Sequence, residues 1–396
     1  MFEKIKDNGA IRWIGFNDRR KRLFENLWPL PKGVAYNAYL IVDEKTALID
    51  TVDFDASKNF LSAIESQLHG QPLDYLVINH IEPDHSGGIA ELLKKYPEVK
   101  VVGNPQTKNI FDAYFDRATS FVDVSKGETI ALGRHHLRFI MTPWLHWPET
   151  MMTYEATEKT LFSGDAFGSF RAFTGGVFDD EIQVSDYHDE ALRYYSNIIG
   201  KYSGMVQKAI AKLSGVEIQC ICPTHGPVWR SNPNYILNLY DRWSRYEAEA
   251  GAVVIFASMY GHTEAAADYI ARKIALSGVK NIKVHDVSRT HLSYLLRDIW
   301  RYSGLVLGSC SYNSEMFPLM EQLCRELEHA GVKNKSLALF GSYSWNGGGL
   351  KNLLKFANNT GLEQVAHPVE FKGAPTAADY AACDLLAHAM AEKLLR

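Results

Sequence analysis

The stretch His80-Ile81-Glu82-Pro83-Asp84-His85 places four metal-binding side chains within six positions. Ahead of it runs Tyr75-Leu76-Val77-Ile78-Asn79, apolar and partly β-branched, which reads as a buried strand. Behind it come Ser86-Gly87-Gly88 and then Ile89-Ala90-Glu91-Leu92-Leu93, which reads as a helix. The four side chains are therefore expected on a loop at the carboxyl end of a strand, where α/β scaffolds commonly bind ligands. A lone His-x-x-x-x-His there would suit an ordinary turn with an N-cap aspartate. Two imidazoles interleaved with two carboxylates point instead to metal.

The same pattern recurs outward from this stretch. Tyr36–Val42 and Ala47–Asp50 read as strands joined by a turn at Asp43-Glu44-Lys45, with Asp50-Thr51-Val52-Asp53 following. A helix is expected over Ser57–Leu68 and a short strand over Val99–Val102. Leu137–Met141 leads into Thr142-Pro143-Trp144-Leu145-His146-Trp147-Pro148. Thr160–Ser163 leads into Gly164-Asp165, and Ile218–Cys222 into Pro223-Thr224-His225-Gly226. Loops after neighbouring strands can converge, so His80, Glu82, Asp84, His85, His146, Asp165 and His225 are expected to form one site. His135, His136 and His188 lack that context and read as surface or packing residues.

Composition narrows the class. A chain of 396 residues, 46% hydrophobic, can bury two ordinary cores. A net charge of −4 with no basic run argues against a nucleic-acid partner. The N-terminus Met1-Phe2-Glu3-Lys4-Ile5-Lys6-Asp7 lacks a signal-peptide apolar core, and no run is long enough to span a membrane. Five scattered cysteines argue against a disulfide framework and make the cytoplasm the expected compartment. Cys220 and Cys222 alternate within a strand and read as packing. Without a Cys-x-x-Cys pair, no iron–sulfur or rubredoxin-like module is expected within the chain.

The first half resembles the metallo-β-lactamase superfamily over about residues 30–230, which implies an αβ/βα sandwich. Zinc hydrolases of that superfamily usually carry histidine at the second motif position; here it is Glu82. The added anionic oxygen gives four histidines and three carboxylates, a set suited to iron or manganese, with zinc chemically open. His-x-Glu-x-Asp-His is the pattern of the flavodiiron proteins. That resemblance implies one iron on His80, Glu82 and His146, a second on Asp84, His85 and His225, and Asp165 bridging them. Glu25, in Phe24-Glu25-Asn26, stands where several members carry a histidine over the open face of the metals.

Asn234–Ala250 reads as a helix that closes a first domain of residues 1–250. The chain then restarts with the apolar strand Ala252–Ala257, and residues 251–396 alternate strands and helices. Ser258-Met259-Tyr260-Gly261-His262-Thr263 precedes a helix over Glu264–Leu276 and makes an anion cradle of backbone N–H groups, helix dipole and hydroxyls. Gly304–Gly308 opens into Ser309-Cys310-Ser311-Tyr312-Asn313. Ser336–Phe340 opens into Gly341-Ser342-Tyr343-Ser344-Trp345-Asn346-Gly347-Gly348. Both offer an aromatic for stacking and small residues that admit a ring. The segment resembles the flavodoxins, implying a doubly wound parallel sheet with FMN at the strand carboxyl ends. The Ser-Met-aromatic loop is common in flavodiiron proteins.

The resemblance implies reduction of O2 to water, of NO to N2O, or both. Reduced FMN and two ferrous ions hold the four electrons that O2 needs, and two NO need only two. It also implies an external donor, rubredoxin or a similar small carrier, since no Gly-x-Gly-x-x-Gly nicotinamide loop is present. A head-to-tail homodimer, or a tetramer of two such pairs, is implied as well. The alternatives are a zinc hydrolase with a redox-sensing flavodoxin half, against which Glu82 argues, and an electron carrier with a structural metal.

Overall fold

Parallel strands need a crossover, and the first half supplies helices at the right places. The computed structural model describes residues 3–5, 9–115 and 119–396, so part of the stretch read for a leader lies outside them. Helix Ser57–Leu68 joins the parallel strands Thr46–Ile49 and Tyr75–Val77. Helix Ile89–Lys95 joins Tyr75–Val77 to Lys100–Gly103, and Pro105–Tyr114 joins that strand to Phe121–Asp123. On the other side, Thr46–Ile49 pairs antiparallel with Tyr39–Val42, then come Ile11–Trp13 and Glu3–Lys4. A second sheet runs Thr129–Ala131, His136–Met141, Met151–Glu155, Thr160–Gly164, Cys220–Pro223. Ile41, Ile49, Val77 and Val102 of the first sheet share one core with Leu137, Met151, Phe162, Cys220 and Cys222 of the second. Leu40, Leu48, Leu76 and Val101 alternate with them and are also buried. This is the expected sandwich. The Cys220 and Cys222 Sγ atoms lie 3.7 Å apart in its core.

The chain divides into two compact units, Met1–Ser244 and Arg245–Arg396. The second unit is a sheet in the order Ile282–Asp286, Glu249–Ala257, Tyr302–Tyr312, Ser336–Tyr343, Glu363–Gln364, its pairs parallel, with Val369–Lys372 also on Ser336–Tyr343. That is the doubly wound order, with the switch point between the first and third strands. Ala252, Val254 and Phe256 pack with Ala267, Ile270 and Ile274 of helix His262–Leu276 and with Leu386 and Met390 of Ala377–Leu395. No helix among the described residues is long and apolar enough to cross a membrane.

Three expectations need correction. The helix expected over Asn234–Ala250 is Pro233–Ser244. Tyr246 is left-handed (φ 57°), and Glu249 is already in a strand paired with Tyr302, so the expected 250/251 boundary falls inside that strand. The residues after Gly308 do not form a loop at once. Ser309–Tyr312 continue the strand and turn back through Asn313 and Ser314, both at positive φ, onto Glu315–Met316. The metal stretch is likewise only partly loop: Asp84 and His85 lie on a single helical turn, Pro83–Ser86, with proline at a first-turn position where its fixed φ suits the helix.

His135 is neither surface nor plain packing. It is buried, its Nδ1 is 2.7 Å from Asp43 Oδ2, and its Nε2 is 3.3 Å from Glu158 Oε1. Asp43 follows the strand Tyr39–Val42 of one sheet, while His135 and Glu158 belong to turns of the other, so the trio clamps one end of the sandwich. The hydrogen bond to Glu158 and, against the cost of burial, that to Asp43 raise the His135 pKa to about 8. A raised pKa stabilises the fold fully below the unfolded value near 6.5 and loses that contribution as pH rises through about 8. His135→Gln is expected to cost roughly 1–2 kcal/mol at pH 6 and little at pH 9, read from urea unfolding at each pH. An equal cost at both values would show that the clamp does not act through charge.

Candidate functional site

The site in the first unit is built from four loops that leave both sheets at their carboxyl ends. Asp50, left-handed at φ 55°, accepts hydrogen bonds from Asn79 N (2.8 Å) and His80 N (3.3 Å) and so fixes the start of the His80 stretch. Gly87 lets that stretch pass close to Phe54, whose backbone nitrogen would lie 2.3 Å from an added Cβ. All seven expected side chains come together, in two groups. His80, Glu82, His146 and Asp165 form one; Asp84, His85 and His225 form the other.

Asp165, 1% exposed, stands between the groups. Its Oδ2 is 2.9 Å from His146 Nε2 and 3.6 Å from His80 Nε2. Its Oδ1 is 2.9 Å from His85 Nε2 and 3.6 Å from His225 Nε2. Glu82 Oε2 lies 3.0 Å from His80 Nε2 and 3.1 Å from His146 Nε2. Asp84 reaches His85 Nε2 (3.4 Å) and His225 Nε2 (3.3 Å) with its two oxygens. Two donors at right angles, each about 2.1 Å from one ion, lie about 3 Å apart, so these spacings suit cation binding. Both oxygens of Asp84 and the Nε2 atoms of His85 and His225 are buried without a well-aligned hydrogen bond. Buried donor atoms that converge in this way without hydrogen bonds suit a shared cation.

Electrostatics agree. Burial alone would lower His85 and His146, yet the surrounding carboxylates win and raise each to about 9. For His85 the largest opposing charge is Asp84; for His146 it is the contact with Asp165. Against its own burial, Glu82 is held well below the usual carboxylate range by His146 and His80. Asp165 is likewise held down, chiefly by His85.

Several residues that sequence reading passed over hold these groups. Glu149, fully buried, places Oε1 2.7 Å from His80 Nδ1 and accepts from Ile81 N, which orients the imidazole. Thr224 donates to Asp165 Oδ1 at 2.6 Å, and His225 Nδ1 is 2.9 Å from Ala35 O. Glu149 follows His146 by three residues and Thr224 immediately precedes His225, so proximity in the chain was the available signal. Ala35 offered none.

A pocket of about 400 Å³ opens beside Glu82 and Asp84, with Lys21, Phe24, Glu25, Tyr36 and Asp53 in its walls. Glu25 is exposed as a residue, but Trp28 Nε1 donates to its carboxylate at 3.1 Å and its head lines the pocket. Loss of solvent, then the Glu82 charge, raises its pKa to about 7.

In the second unit the three expected flavin segments meet through their hydroxyls. Ser258 Oγ accepts from Gly261 N (3.0 Å), and Gly261, at φ 92°, turns the chain into the helix beginning at His262. Thr263 Oγ1 lies 2.8 Å from Ser342 Oγ, joining the first segment to the third. Ser311 Oγ accepts from Gly348 N and Gly349 N, joining the second to the third. Tyr260 and Trp345 are 87% and 78% exposed, and Met259 and Tyr312 are also exposed, an unusual concentration of large side chains in solvent. Ser309 and Cys310 are buried in the strand beneath. Tyr343, Ser344, Asn346 and Gly347 complete the third segment, beside Glu370. A free helix N-terminus flanked by exposed aromatics fits a phosphorylated ring cofactor.

Residues 34–226 match the family described as ODP family beta lactamase, and residues 254–384 match flavodoxin. An anaerobic nitric oxide reductase flavorubredoxin of Vibrio vulnificus is 33% identical over 365 residues, covering 91% of this chain and 73% of that protein. The solved rubredoxin oxygen:oxidoreductase of Desulfovibrio gigas superposes with a TM-score of 0.95 at 30% identity, over 100% of this chain and 99% of that one. A flavo di-iron protein of Thermotoga maritima gives 0.92 at 27% identity, over 100% and 98%. With a lactamase-type unit carrying the seven-residue cluster and a flavodoxin unit behind it in the chain, this protein belongs to the flavodiiron family.

Proposed function

We propose that the protein reduces O2 to water, NO to N2O, or both, at a diiron site fed by FMN. His80, Glu82 and His146 would hold one iron, Asp84, His85 and His225 the other, and Asp165 would bridge them. The observation that carries the reading is the Asp165 carboxylate, which turns one oxygen toward each group. The donor set of imidazole and carboxylate, without thiolate, suits iron. When bound, the irons and FMN supply the electrons and the open coordination positions. The chain's own residues do the rest. Glu149 and Ala35 fix the outer nitrogens of His80 and His225, so both rings present Nε2 inward. Phe24 and Tyr36 make the pocket wall beside Glu82 and Asp84 partly apolar. In the second unit, Ser258, Gly261 and Thr263 would take the FMN phosphate, and Tyr312 and Trp345 would flank its ring.

Electrons would come from rubredoxin or a similar small carrier, as the names of the relatives suggest. A head-to-tail homodimer would bring the flavin of one protomer over the metals of its partner. Its support is that exposed apolar side chains occur at both places: Leu23, Leu27, Phe54 and Trp144 beside the metal pocket, and Tyr260, Tyr312 and Trp345 at the flavin end.

Asp165→Ala is expected to lower iron below two per chain and cut gas turnover by at least about a hundredfold while FMN stays bound. Iron analysis, flavin absorbance and steady-state turnover of O2 and NO separate these effects. Two zinc per chain with thioester or lactam hydrolysis would sink the reading in favour of a hydrolase. Reduction by NADH alone should be slow and should accelerate when rubredoxin and its reductase are added. Rapid reduction by NADH alone would dismiss the need for a carrier. Finally, His85→Ala and Gly261→Asp, each inactive alone, should regain activity when mixed under conditions of subunit exchange. A sedimenting monomer that turns over at full rate would rule out the paired arrangement.

A further inference from the structure

Two buried hydroxyls around the metal-binding residues have no hydrogen-bond partner, those of Tyr36 and Tyr194. A folded protein rarely leaves a buried phenol unsatisfied unless something outside the polypeptide completes it. The two tyrosines differ in what they face. Tyr194 packs edge-on against Phe24 and Phe170, with its ring 5.5 Å from His225, and is not part of the pocket wall. Tyr36 is fully buried yet is part of that wall, together with Glu82 and Asp84.

The placement of Tyr36 is tightly determined. It ends the strand Val34–Tyr36, which pairs with Phe16–Asp18. The residue before it, Ala35, holds His225 Nδ1. The Tyr36 ring meets His225 edge-on at 5.4 Å, and Lys21 Nζ, itself paired with Asp53, lies 5.3 Å from the centroid of the same ring. One strand end therefore positions both His225 and the phenol. Among charged groups, Asp84 acts on the phenol most strongly, and both Asp84 oxygens are themselves unpartnered. The Tyr36 ring thus stands between His225 and the pocket wall that it shares with Glu82 and Asp84.

We propose that the Tyr36 hydroxyl donates a hydrogen bond to an oxygen of the small substrate in this pocket and is a catalytic residue of the reaction. The proposal rests on the diiron reading above. A fixed neutral donor gains strength as negative charge develops on the substrate oxygen. It also distinguishes a ligand that accepts a hydrogen bond from one that does not, which a wholly apolar wall could not do.

The test uses the full chain with iron and FMN bound, in the oxidised state, and azide as a small hydrogen-bond-accepting probe. Azide affinity is measured by optical titration, and its antisymmetric stretch by infrared spectroscopy in H2O and D2O. Tyr36→Phe removes one oxygen and keeps the ring, so iron and FMN contents should match the wild type. Azide should bind about tenfold more weakly to Tyr36→Phe, and the H2O/D2O shift of the stretch, present in the wild type, should vanish. Tyr194→Phe should retain both. Wild-type affinity and isotope shift in Tyr36→Phe would overturn the proposal, as would loss of the shift in Tyr194→Phe alone. A wild-type protein that takes up no iron overturns the diiron reading, and this proposal with it.

Discussion

Burying charge is the constraint on which the first unit depends. Each carboxylate or imidazolium removed from water costs several kcal/mol unless opposite charge compensates it. Asp165 gathers that compensation at one point, with an imidazole nitrogen 2.9 Å from each of its oxygens. Such a cluster holds only if its members cannot drift apart. The supporting contacts are accordingly short and come from rigid places: Asp50 at a strand end, Glu149 on His80, Thr224 on Asp165, and the Ala35 carbonyl on His225. The sandwich makes this possible, because strand ends from both sheets converge where Asp165 stands.

The second unit solves a different problem. Its ligand-facing residues are uncharged hydroxyls, glycines and aromatics, joined by Thr263–Ser342 and by Ser311 on the Gly348 and Gly349 amides. The buried charges of this unit, Asp298 and Lys335, lie outside these segments, so the aromatics can stand in solvent. Exposing Tyr260 and Trp345 forgoes the burial that would stabilise the fold, and that sacrifice is understandable where a flat ring is to be met.

What the sequence makes legible follows from this contrast. His80, Glu82, Asp84 and His85 are close in the chain, and His146, Asp165 and His225 each follow a readable strand, so all seven could be collected before any fold was seen. Asp50 and Tyr36 act across long separations, on His80 and beside His225, through contacts that periodicity does not encode. His135 was misjudged for the same reason, its partners Asp43 and Glu158 being 92 and 23 residues away. Element ends were the other loss. The Ser309–Tyr312 extension is imposed by pairing with Glu315–Met316 and Ser336–Tyr343, and the strand at Glu249 by pairing with Tyr302, neither of which local propensity can anticipate.

The charge around the pocket bears on what can enter it. Glu82 and Asp84 face the pocket with Glu25 and Asp53, while Lys21 is the basic residue in its wall and is already paired with Asp53. Two divalent ions would bring four positive charges against the three carboxylates that hold them, leaving a small surplus for Glu25 to offset. With Lys21 and Asp53 cancelling each other, the wall around the metal-binding residues would then be close to neutral. A neutral diatomic molecule would lose almost no hydration on entry, and Phe24, Leu23 and Pro83 offer it an apolar path. Charge balance and pocket lining therefore suit a small neutral molecule, which is what the proposed reaction requires.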